Sequence, residues 1–212
     1  MGLCSSYFDD DDGRPSTGTI ASRANSVGPM STPRFLLTEE DKRVLQRHFR
    51  PTMMTQRPDI FHKTMFMCIH ASPKLNEIIS CEEYCVRDLT QWPKLNKMCQ
   101  AQANFMERLI YDYDLDEEKV LESTKHLGRI HAGYSAYGFK PHFFDLWQQN
   151  LNTNLDRLKM ESNEEKLSFL LAFSKLNDFI IDILNAANTE QIRVNLLEAR
   201  KKLENAYHNP EK

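Results

Sequence analysis

Residues 127–147 read LGRIHAGYSAYGFKPHFFDLW, a helical pattern that ends at a glycine and restarts at a proline. Turned through about 100° per residue, the step of an α-helix, Val120, Thr124, Leu127 and His131 fall on one face. Gly128 lies beside them and His126 points elsewhere. A histidine on an apolar face is either a core residue with its ring nitrogens satisfied or a metal ligand. Spacing alone leaves both roles open. Beyond it, Gly138–Phe139 leads into Pro141, which suits a helix start because proline's fixed φ fits the first turn and its missing N–H is not needed there.

Helical patterns continue on both sides. Upstream, LTEEDKRVLQRHF takes Thr38 as its N-cap, with acidic residues in the first turn, and should stop before Pro51. A helix from about Pro58 to Ser72–Pro73 follows, then the short turn PKLNEII, the irregular SCEEYCVRDLTQ and the long WPKLNKMCQAQANFMERLIYDYD. Downstream come KPHFFDLWQQNLNTNLDRL and NEEKLSFLLAFSKLNDFIIDIL. The final TEQIRVNLLEARKKLENAY reads as a separate amphipathic helix with a narrow seam of Ile192, Leu196, Leu197 and Leu203. No segment alternates with period two between hairpin turns, so the expected class is all-α. Residues 1–35, rich in Ser, Thr, Gly, Pro and Asp, are expected to be disordered. Residues 36–186 would form the helical domain and 187–212 a C-terminal helical extension.

The bulk properties narrow the function. A chain of 212 residues with net charge −3 is long enough for one cored domain plus a tail and lacks the basic excess of a general nucleic-acid binder. No apolar run approaches the roughly 20 residues needed to span a bilayer. Five cysteines, an odd number without a secretory signal, point to reduced thiols. Nothing matches a nucleotide loop or a hydrolase triad.

A second polar residue stands out on an apolar stripe. Over residues 92–113, Leu95, Met98, Cys99, Phe105, Met106, Leu109, Ile110 and Tyr113 gather on one helical face, and Gln102 falls among them. Burying its amide unpaired would cost about 1–3 kcal/mol, so it needs protein partners or a ligand. Periodicity alone favours an ordinary core or helix-edge glutamine.

In motif and in order of helices, residues 36–186 resemble the globin family, in its nematode-type and neuroglobin-like branches. The carriers are Leu127-Gly128 ahead of His131, then Gly138-Phe139 and the Pro141 helix, and the short helix near Pro73. The resemblance implies a three-over-three helical sandwich around haem b, with His131 as the proximal iron ligand. Gln102 would then stand on the distal side, within reach of O2 or another small ligand, although Met98, Cys99 or Ala101 take that place in neighbouring registers. Met65, Met98, Met106, Leu127 and Ile79 would line the haem pocket. Two positions depart from the family pattern: Ile79 stands where globins keep a phenylalanine, and Phe173 where the last long helix carries a tryptophan. No register supplies a distal histidine, unless His70 or His126 reaches the haem. In the neuroglobin-like branch a disulfide in the corner held by Cys81 and Cys85 alters haem ligation, so the resemblance offers a reversible Cys81–Cys85 bond; the other reading is two reduced thiols.

The chain opens MGLCSS. Removal of Met1 would expose Gly2 for myristoylation, with Ser6 completing the pattern, and Cys4 is placed for palmitoylation. One acyl chain binds membranes only marginally, and Asp9 to Asp12 would be repelled by an anionic leaflet, so Cys4 is the expected second anchor. The expected protein is thus a lipid-anchored haem globin at the cytoplasmic face of the plasma membrane. It would bind O2 or another small ligand and act in sensing, signalling or electron transfer with an unknown partner. The alternative is a haem-free, globin-like lipidated adaptor. Haem redox catalysis stays open, with no acid–base constellation pointing to it.

Overall fold

A computed structural model of the chain describes residues 33–208; the MGLCSS signal, with Gly2 and Cys4, lies outside them. Every regular element among the described residues is helical. The α-helices are α1 (Glu39–His48), α2 (Ile60–Ala71), α3 (Lys74–Ser80), α4 (Pro93–Glu107), α5 (Glu117–Ala132), α6 (His142–Leu155) and α7 (Asn163–His208).

Local chemistry sets most of the boundaries. Thr38 caps α1 through a reciprocal pair: Asp41 N–H donates to Thr38 Oγ1 at 3.1 Å and Thr38 N–H donates to Asp41 Oδ2 at 2.8 Å. Asp116 caps α5 by accepting from Lys119 N–H at 3.0 Å. A 3-10 turn, Gly133–Tyr137, extends α5 until Gly138, at φ 91°, ends it in a backbone conformation that costs glycine nothing.

Two expected boundaries are corrected. The α-helical bonding of α1 does end before Pro51, but a π-helical segment, Phe49–Met54, carries the chain through the proline. Proline cannot donate to the ladder, and the wider π turn relieves its clash with the preceding turn. The anticipated break at residues 186–187 is absent, since α7 runs unbroken for 46 residues. Residues 180–192 hold neither proline nor glycine, and Ala186-Ala187 favours helix strongly. The boundary survives only as a change in burial: Asn188 is fully buried, and from Thr189 onward the side chains are mostly exposed.

The core is built on α7. α5 packs along it, α1 crosses it near its start, and α6 pairs with both α2 and α7. Gly128 permits the closest of these approaches. A Cβ there would stand 2.8 Å from Ala187 Cβ and 3.0 Å from Leu184 O, so α5 meets α7 nearly backbone to backbone. Phenylalanines fill much of the interior, with Phe49 stacked on Phe173 at 6.5 Å and Phe169 against Phe173 at 5.7 Å. These contacts leave the middle of the helical body unfilled on the α4, α5 and α6 side of α7, where the candidate site lies.

Candidate functional site

An apolar cavity of about 210 Å³ opens between α2, α4, α5, α6 and α7. Met65, Met98, Gln102, Met106, Leu127 and His131 all border it. Ile79 borders a second space of about 180 Å³ that shares Met65, Leu75, Met98, His131 and Phe139 with the first. His131 therefore stands on the wall of both. Each volume alone is below the roughly 300–1,000 Å³ usual for small-molecule sites, and the two together fall within that range.

The position of His131 follows from α5. The helix turns the ring back toward its own preceding turn, and Nδ1 lies 2.9 Å from Leu127 O. A carbonyl only accepts, so Nδ1 carries the proton and Nε2 keeps its lone pair. Burial pushes the imidazole below its ordinary pKa of 6.5, and the Leu127 carbonyl offsets this only in part. The ring is neutral at pH 7, and Nε2 makes no hydrogen bond among the described residues. Phe139, Phe144 and Tyr134 surround it, with ring centroids 5.4, 5.1 and 6.1 Å away.

Gln102 reaches the same cavity from α4. Its Oε1 accepts from the indole N–H of Trp147 on α6 at 3.2 Å. The indole can only donate, which fixes which end of the amide is the oxygen. Gln102 Nε2 is left without a hydrogen bond among the described residues.

The thiols near the site are poor ligands. Burial drives the Cys99 thiol up to about 12 and raises Cys68 as well, the latter partly offset by Asn150. A thiolate is the form that binds metal or reacts, so both are inert near neutral pH. His70 and His126 are exposed and border neither space. Among the described residues no group of three or more His, Cys, Asp or Glu side chains is gathered to hold a metal ion. A single histidine does not make a site for a bare ion, which asks for about four protein ligands. It does suit a metal that arrives in its own macrocycle and needs one axial donor.

Cys68, Cys81, Cys85 and Cys99 are all free thiols. Cys85 Sγ accepts from Arg87 Nε at 3.1 Å, and Cys81 Sγ lies 3.9 Å from Lys94 Nζ, a residue on the wall of the smaller space. Cys81 and Tyr84 both have positive φ, so residues 81–85 form a loop, not a helical turn.

Sequence reasoning missed the aromatic wall contributed by Phe139, Phe143 and Trp147. Their i, i+4, i+8 spacing was the available signal. No helix among the described residues is long and apolar enough to cross a membrane. Comparison with protein-family models, with curated proteins and with solved structures finds no match for this chain.

Proposed function

We propose that the helical body is a globin-like domain that holds haem b through His131 and binds O2 or another small ligand beside Gln102. One observation carries this function. A histidine held neutral, with Nδ1 committed to Leu127 O and Nε2 unpaired, borders an apolar cavity whose other polar side chain is a hydrogen-bond donor. The carbonyl fixes the tautomer and orientation of the ring, as partners of metal-bound histidines do elsewhere. Bound haem would supply an iron centre able to take a small ligand or exchange an electron. Met65, Met98, Met106 and Leu127 would keep water from that centre, and Ile79 would close its edge. Lys94, the cation on the smaller space, suits a carboxylate-bearing rim.

The test is optical. Purified protein titrated with hemin should develop an intense Soret band, shifted on reduction with dithionite, that His131→Ala abolishes or severely weakens. Failure of the wild-type chain to take up hemin would overturn the function.

The same proposal includes the anchor: myristoyl on Gly2 and palmitoyl on Cys4, holding the domain at the cytoplasmic face of the plasma membrane for sensing, signalling or electron transfer. Gly2→Ala and Cys4→Ser should each move the protein into the soluble fraction, and continued membrane binding by both would end this part. A reversible Cys81–Cys85 bond belongs to the proposal as its redox input, and the loop conformation of residues 81–85 is compatible with it.

A second function, the haem-free adaptor, is favoured by the end of α7. Leu196, Leu197 and Leu203 are each more than half exposed there, which suits a partner helix.

A further inference from the structure

We infer that Trp147 is a specificity-determining positioning residue, which clamps Gln102 so that the cavity presents an N–H donor rather than a carbonyl. The inference rests on the proposed function, because it concerns which ligands that site favours.

An unrestrained glutamine amide can turn either end to a ligand, with its carbonyl accepting or its NH2 donating. Here that freedom is removed by a donor-only group on another helix. Trp147 Nε1–H donates to Gln102 Oε1 at 3.2 Å, and the reversed amide would set N–H against N–H. The indole is itself held: its ring stacks on Phe61 of α2 with centroids 6.4 Å apart and planes 12° from parallel, and Phe61 is fully buried. The chain of constraint therefore runs from the α2 core through Trp147 to Gln102.

The consequence is chemical. The remaining side chains bordering the cavity, apart from His131 and the Cys68 thiol, are hydrocarbon, aromatic or thioether. With Oε1 turned to the indole, the donor end of Gln102 is the end left without a protein partner among the described residues. A good hydrogen-bond acceptor such as O2 gains from this arrangement and a poor one such as CO does not. The Gln102 donor alone would discriminate only for the fraction of time it faces inward. Trp147 raises that fraction through its hold on the amide oxygen.

Two measurements decide this, and the first needs no haem. The chain has two tryptophans, so its ¹⁵N-labelled spectrum has two indole N–H resonances, and Trp147→Phe identifies that of Trp147. Gln102→Leu should move the Trp147 resonance upfield and leave the Trp92 resonance in place. A Trp147 indole resonance indifferent to Gln102→Leu overturns the clamp.

The second measurement uses the hemin-loaded, reduced protein. Trp147→Phe keeps the ring stack on Phe61 and removes the N–H. It should lower the O2-to-CO affinity ratio by about two- to tenfold, the range set by one neutral hydrogen bond. In a Gln102→Leu background the same change should do nothing further. An equal fall in both backgrounds, or none in either, overturns the assignment of specificity. If the wild-type chain takes up no hemin, the proposed function fails, and the indole resonance still decides whether Trp147 holds the amide.

Discussion

His48 and His131 sit in the same helical body, and their Nε2 atoms face opposite surroundings. His48, on α1, is almost fully buried against the first turns of α7, edge-on to Phe169. Its Nδ1 lies 3.1 Å from Thr52 Oγ1, and its Nε2 lies 3.1 Å from Glu165 Oε1, within ion-pair range though off the line of a hydrogen bond. His131, on α5, faces the middle of α7 across a cavity, with one nitrogen committed to a carbonyl and the other to nothing. The first ring ties two helices together. The second is held still and left chemically open. Burial alone therefore does not distinguish the two rings; what faces the second nitrogen does, a carboxylate at His48 and an apolar cavity at His131.

The largest expected effect follows from this contrast. His48→Ala should lower the stability of the haem-free protein by about 2–4 kcal/mol, because it opens a cavity beside Phe169 and strands Glu165 and Thr52. His131→Ala should change it by no more than about 1 kcal/mol, since relief of a desolvated imidazole offsets the lost ring contacts. Urea unfolding measures both, and hemin uptake should fail only in the second variant. A reversed order of stabilities would break the comparison.

That contrast was only half legible in the sequence. His131 and Gln102 declared themselves because each sits on a stripe of helical period, and period survives without knowledge of what faces it. His48 did not, because its partner Glu165 comes from a helix far along the chain. Trp147 was hidden for the same reason: its importance lies in a hydrogen bond between α4 and α6. The all-helical class was readable, since no alternating pattern competes with it. The length of α7 is not legible in the same way, because the narrow seam from Ile192 to Leu203 reads as a separate amphipathic helix while the chain runs on unbroken. An amphipathic pattern reports what a helix touches, and continuity is governed by proline and glycine.

Acid should separate the two ends of the molecule in sequence. As pH falls, burial makes His131 resist protonation. Its folded pKa lies below 6.5, so Nε2 keeps its lone pair at neutral pH and loses it as pH drops through that lower value. The unfolded chain binds the proton more readily, so haem-free stability also declines over the interval from 6.5 down to the folded pKa. Near the His48 end, burial raises the Asp41 carboxyl, but Lys175, 2.7 Å away, and the Thr38 cap outweigh it and leave the pKa below the ordinary 3.8. The stability from this depressed carboxylate is complete above its unfolded value and drains as pH falls through the folded one. Hemin should therefore be released first, from a chain still folded by circular dichroism, and unfolding should follow at lower pH. Lys175→Met should cost about 1 kcal/mol at pH 7, advance the second transition to higher pH and leave the first unmoved. Coincident release and unfolding would show that the two ends are one cooperative unit.

The smallest effect tests whether both histidines depend only on the buried length of α7. Glu165 and Phe169 serve His48, and Ile180, Ile181 and Leu184 border the cavity of His131. All lie before Asn188. Beyond it, Arg193 to Asn205 are exposed, including Val194, Leu196, Leu197 and Leu203. A helix with so little buried surface adds little to the domain it leaves, and exposed substitutions commonly stay within about 0.5 kcal/mol. Ending the chain after Asn188 should therefore leave urea stability within about 0.5 kcal/mol of the full chain, with hemin uptake unchanged. Loss of stability at either histidine would mean that the tail folds back on the body in solution. No loss would leave the exposed leucines free for a partner, and that outcome joins the two proposed functions in one molecule: a ligand site on the buried half of α7 and an interaction helix on its exposed half.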